Sequence, residues 1–99
     1  MTPEKPNILL IQADQLKPQV LKSYGGIADT PHLDSLADEG VVFENAYCNF
    51  PLCAPSRFSM LAGMLPSRIG AYDNGAEYLA QIPTMAHYLR LAGYHTCLS

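Results

Sequence analysis

The chain has 99 residues, 48% of them hydrophobic and 15% charged, with a formal net charge of -3 at pH 7. This composition is too apolar for a disordered segment, and its acidity speaks against a nucleic-acid binder, which carries a basic face. No apolar run reaches the length of a membrane span, and three cysteines without paired spacing do not make a disulfide framework. The length allows one domain at most.

The opening Met1-Thr2-Pro3-Glu4-Lys5-Pro6 is polar, and the apolar run after it is too short for a signal peptide, so a cytoplasmic location is expected. That run, Asn7-Ile8-Leu9-Leu10-Ile11-Gln12-Ala13, has the pattern of a strand buried on both faces of a parallel sheet. Asp14 stands at its carboxyl end, where open α/β sheets place their ligands. A carboxylate there suits a hard cation such as Ca2+ or Mg2+, and it suits an ordinary turn equally well. Residues 17–29, with Pro18 and Gly25-Gly26, read as a loop. Thr30 and Pro31 then open a helix as N-cap and first helical residue. Leu33, Leu36 and Ala37 form its apolar face, Asp34, Asp38 and Glu39 look outward, and Gly40 stops it. Val41 through Cys48 is rich in strand formers and is expected to be a second strand.

The next stretch, Cys53-Ala54-Pro55-Ser56-Arg57-Phe58-Ser59-Met60-Leu61-Ala62-Gly63, reads as a loop turning into a helix. Pro55 suits the first turn, where a missing N–H costs nothing, and Gly63 suits the left-handed position past the last turn. Cys53 is expected just outside the helix N-terminus, where free N–H groups and the macrodipole favour an anion. Arg57, about one turn on, can aim its guanidinium back at the same spot. Alone, such a cysteine reads equally well as a small buried apolar residue.

Residues 64–81 follow as a loop containing Pro66, Gly70 and Asn74-Gly75, and a helix restarts at Ile82-Pro83 and runs through Met85, Ala86, Leu89 and Ala92 to Gly93. Tyr94 to Ser99 is expected to be a third strand. Strands alternating with helices imply an α/β sheet with right-handed crossovers. A parallel sheet needs both faces covered, and the helices here are too few, so the chain reads as the opening piece of a larger domain. His32 is expected to face solvent. His87 and His95 are too scattered for a metal site, and Cys48 and Cys97 are expected as buried thiols.

The C-x-P-S-R pattern at Cys53 to Arg57, with its short helix ending in Ala62-Gly63, resembles the sulfatase signature. Asp14-Gln15-Leu16, Pro51-Leu52-Cys53 and above all Tyr72-Asp73-Asn74-Gly75-Ala76-Glu77-Tyr78 are similar to the choline sulfatases within that family. Ile82-Pro83-Thr84 and Ala92-Gly93-Tyr94 follow in the same order. The resemblance covers Pro6 to Ser99. It implies the N-terminal part of an alkaline-phosphatase/sulfatase-like domain, with a mostly parallel sheet flanked by helices and residues 1–99 as an incomplete portion of the catalytic domain.

By the same resemblance, Cys53 is oxidised to formylglycine by an activating enzyme and becomes both nucleophile and metal ligand, and Arg57 holds it. Asp14 is a metal ligand, with calcium expected before magnesium or manganese. Sulfatases usually carry an Asp-Asp pair there, and this chain has Asp14-Gln15. Asn74 is implied to lie near the substrate, although an Asn-Gly pair is also an ordinary turn. The implied reaction is hydrolysis of choline sulfate to choline and sulfate, without nucleic-acid or membrane partners and with room for a homo-oligomer in the full-length protein. A thiolate attacking sulfate would leave a thiosulfate with no easy exit, whereas a hydrated aldehyde releases it by returning to the carbonyl. Sulfatases also place a Gly-Lys-x-His segment after the last strand, and further metal ligands and a general acid later still, so the piece alone is expected to be inactive. An arylsulfatase, a phosphonate or phosphate monoester hydrolase, and a truncated non-enzymatic remnant are the alternatives on this frame.

Overall fold

A computed structural model describes residues 5–99, and the polar opening through Glu4 lies outside them. The chain divides into two compact units, one ending at Asn45 and the other spanning Ala46–Ser99. Regular structure among the described residues is helical: α1 (Pro31–Glu39), α2 (Cys53–Ala62), α3 (Pro66–Ile69) and α4 (Met85–Leu91). Two short 3-10 turns, Pro18–Val20 and Lys22–Tyr24, precede them. None of these helices is long and apolar enough to cross a membrane.

The expected sheet is the main correction. The stretches 7–13, 41–48 and 94–99 run without strand pairing, and the β-pairing among the described residues is a single parallel bridge between Leu21 and Ala28. Ile8, Leu9, Leu10 and Ile11, which a two-sided sheet would cover, are 56–84% exposed. The reason is that a strand is stable only within a ladder, because its N–H and C=O groups need partners on neighbouring chains. A parallel ladder further needs a helical layer on each face, and four short helices do not supply it. Cys48 and Cys97, expected to be buried in those strands, are exposed thiols for the same reason.

In the first unit, the loop expected over 17–29 is a tight reversal. The N–H of Gly26 donates to the Leu21 carbonyl at 2.8 Å and that of Ala28 to the Val20 carbonyl at 3.0 Å. Gly26 is required by close approach: a Cβ there would overlap the carbonyl of Val20. Pro31 opens α1 as expected, but the Thr30 hydroxyl bonds the Asp34 carboxylate at 3.2 Å instead of capping the backbone. Gly40 ends α1 at φ -116°, outside the left-handed region. His32 is exposed, as expected.

In the second unit, α2 packs against α3 and α4. Pro55, Ser59, Pro66, Ile69 and Ala71 are its buried residues. The turn α3, within a stretch expected as loop, is opened by Pro66 and closed by Gly70 at φ 72°. Helix α4 begins at Met85, two residues later than Pro83 suggests, because Thr84 is its N-cap. The Thr84 N–H donates to Nδ1 of His87 at 3.1 Å, which gives that histidine a capping task.

Two glycines should separate backbone strain from steric overlap. Gly63 ends α2 at φ 65° with open space around it, so Gly63→Ala should cost about 1–2 kcal/mol, the left-handed penalty alone. Gly26→Ala should cost more, about 3 kcal/mol, because backbone must move. Thermal unfolding of the two variants checks the order, and equal losses would contradict it.

Candidate active site around Cys53

The site is built at the N-terminus of α2. Leu52 is the N-cap residue, in extended conformation (φ -145°, ψ 146°), and Cys53 is the first residue inside the helix rather than just outside it. The first helical bond runs from the Ser56 N–H to the Leu52 carbonyl at 3.0 Å. A leucine offers no side-chain acceptor to the free N–H groups of a first turn. Pro55 removes one of those donors. Another, the N–H of Ala54, donates to Oδ1 of Asn74 at 3.0 Å, twenty residues further along the chain.

Arg57 follows Cys53 by four residues on the same exposed face of α2. The Cα–Cβ bonds of a helix tilt toward its N-terminus, so the Arg57 side chain leaves the backbone toward the Cys53 end. Cys53 itself is exposed and unbridged, which corrects the alternative of a buried apolar cysteine.

Two polar bonds hold the approach to Cys53. Ser59 is 1% exposed; its hydroxyl donates to the Met64 carbonyl at 2.6 Å and accepts from Nδ2 of Asn49 at 2.9 Å. The loop entering α2 and the loop leaving it are thereby tied to one buried oxygen. Sequence reading missed both residues; the available signal was a serine inside an apolar helical run.

A second support is the stretch from Tyr72 to Tyr78. It contains the turn that Asn74-Gly75 suggests: the Gly75 N–H donates to Oδ1 of Asp73 at 2.8 Å, and the Ala76 N–H to its carbonyl at 3.3 Å. The turn and the contact with α2 are therefore compatible tasks for Asn74. Tyr78 meets Phe58 of α2 edge-to-face, with ring centroids 5.1 Å apart and planes at 80°. Its hydroxyl is buried with no hydrogen-bond partner among the described residues. Burial, and then the neighbouring Tyr88, pushes that phenol above its ordinary pKa.

Asp14 belongs to the first unit, and Cys53, Arg57 and Asn74 belong to the second. Asp14 begins a turn at the end of the apolar run, and Gln15 after it is left-handed at φ 52°. That conformation is uncommon for a residue with a Cβ and tends to occur at functional turns. A carboxylate is the right kind of donor for a hard cation. The number of donors falls short, because no group of three His, Cys, Asp or Glu side chains gathers among the described residues.

The chain matches the family described as Sulfatase over residues 6–99. It is 52% identical to the choline-sulfatase of Rhizobium meliloti (strain 1021), over 100% of this chain and 20% of that protein. It is 42% identical to an arylsulfatase of Clostridium perfringens, over 93% of this chain and 20% of that protein. It is 45% identical to the human N-acetylgalactosamine-6-sulfatase, over 76% of this chain and 15% of that protein. The chain thus spans a fifth or less of the length of these relatives. No solved structure matches it significantly.

The bonds around Ser59 give a direct test. Ser59→Ala leaves the Asn49 amide and the Met64 carbonyl without their partner and should cost about 1–3 kcal/mol. Adding Asn49→Ala should then cost little more, because the two residues share one bond. Denaturant unfolding of the singles and the double measures the coupling, and strict additivity would contradict it.

Proposed function

The chain belongs to the sulfatase family, and on that premise we propose that it supplies the nucleophile and anion-binding end of a sulfuric ester hydrolase acting on choline sulfate. The observation that carries this reading is that Cys53 and Arg57 stand one turn apart at the start of α2, while Asn74 accepts from the Ala54 N–H of the same first turn. The choline assignment is supported by the 52% identity to the choline-sulfatase, spread over the whole chain. Relatives named for aryl and N-acetylgalactosamine-6-sulfate substrates share the same frame at lower identity. The sulfate end is therefore the common part, and the alcohol is what divides them.

Conversion of Cys53 to formylglycine, by an activating enzyme, would supply an aldehyde whose hydrate is an oxygen nucleophile able to release its sulfate by re-forming the carbonyl. Exposure of Cys53 at the helix start suits both conversion and attack. The positive end of the α2 macrodipole favours a sulfate oxygen beside residue 53. Arg57 offers a planar pair of donors for the charge that gathers there. Asn74 offers its amide N–H groups to the same anion. Asp14 is proposed as one oxygen ligand of a divalent cation, calcium before magnesium or manganese, in a set that the described residues do not complete. A divalent cation supplies Lewis-acid chemistry to a sulfate ester in general.

The test is a substrate panel with the complete protein that carries this chain. Choline sulfate should show the highest kcat/KM among choline sulfate, an aryl sulfate and a phosphonate monoester. Cys53→Ala should lower turnover of every sulfate ester by about 10^4-fold or more. Preferred turnover of the phosphonate monoester would contradict the reading, and undiminished activity of Cys53→Ala would remove its nucleophile.

A further inference from the structure

We infer that Asn74 is a positioning residue for the nucleophile: its side-chain oxygen serves as the N-cap of the helix that carries Cys53, leaving its amide nitrogen as the side-chain group it presents to an anion. The kinetic part of this inference rests on the sulfatase reading, and the structural part does not.

The need is local and the supply is distant. Ser, Thr, Asp or Asn at the N-cap normally accepts from the second or third helical N–H. In α2 the N-cap is Leu52, which lacks an acceptor, and the third helical residue is Pro55, which lacks a donor. The second helical N–H, that of Ala54, is the one Asn74 takes, at 3.0 Å. A backbone N–H only donates, so the atom facing it must be the amide oxygen, and the orientation of the Asn74 side chain follows from chemistry. The NH2 group is then the part of Asn74 turned away from that bond.

The contact is also braced. Asn74 meets Ala54, and Tyr78 meets Phe58, so positions one turn apart on α2 are held by positions four apart on the stretch beside it. The Asp73 carboxylate fixes the turn that carries Asn74 through the Gly75 N–H at 2.8 Å. A residue outside the Cys53–Arg57 motif thus holds the first turn on which Cys53 sits. Displacement of that turn would move the nucleophile relative to the bound sulfate, and small misplacements of reacting groups are expensive in rate.

The experiment separates the two ends of the Asn74 amide in the complete protein. Asn74→Asp keeps an acceptor for Ala54, which the macrodipole favours, but loses the NH2 and adds a negative charge beside the anion. Asn74→Ala loses both. Three readouts are taken: hydrogen exchange at the Ala54 amide, thermal unfolding, and kcat and KM with choline sulfate. Expected are slow exchange in the wild type and Asn74→Asp, and fast exchange in Asn74→Ala. Asn74→Ala should also lose roughly 2–4 °C in Tm and about tenfold in kcat, while Asn74→Asp keeps its Tm and shows a raised KM. Equal exchange at Ala54 in all three proteins, or a change in KM alone for Asn74→Ala, would overturn the inference. Should Asn74→Ala not fold, fast exchange at Ala54 in Asn74→Asp would overturn it as well, and slow exchange there would uphold it. Absence of sulfate-ester hydrolysis in the wild type would sink the sulfatase reading, with exchange at Ala54 still deciding the cap.

Discussion

A helix that begins at a reactive residue leaves free N–H groups beside it, and the second unit is arranged around that fact. These donors form the positive end of the helix, which favours an anion beside residue 53. They also destabilise the first turn unless something accepts from them. The chain meets both demands by keeping a capping side chain out of position 52 and bringing an acceptor from Asn74. A local cap is carried by the residue directly before the helix; the one used here comes from the turn that holds Asn74.

The other supports follow the same pattern of a few polar bonds at defined points. Ser59 gathers the loop before α2 and the loop after it on one buried oxygen. Tyr78 and Phe58 join the Tyr72–Tyr78 stretch to the middle of α2. The apolar core is small, with Ile69 and Ala71 as its buried hydrophobic residues. A buried polar group that loses its partner is costly, so the bonds at Ser59 help to fix the placement of the Cys53 turn.

What could be read from the sequence was local. Thr30-Pro31, Pro55 and Gly63 are punctuation whose meaning lies in one residue's backbone, and the helices they bound are present with small shifts. Helix α3 was missed because four residues carry no periodicity, and only Pro66 and Gly70 marked it. The strands were misread in the opposite direction. Residues 7–13 have the composition of a two-sided strand, but pairing is a property of several chain segments together, and no segment alone contains it. That Cys53 and Arg57 share one exposed helix face was legible because four residues of helix spacing relate them. The Asn74–Ala54 and Asn49–Ser59 bonds were not, because twenty-residue and ten-residue separations close only in the folded chain. The left-handed Gln15 was equally silent, since nothing about a glutamine announces that backbone.

On the proposed function, residue 53 works as an aldehyde at the head of α2. Its most direct test is mass spectrometry of the peptide containing position 53, isolated from the active complete protein and treated with a carbonyl-reactive hydrazide. The peptide is expected to have lost its sulfur and to form the hydrazone. A fully active protein in which Cys53 remains an intact thiol would contradict it.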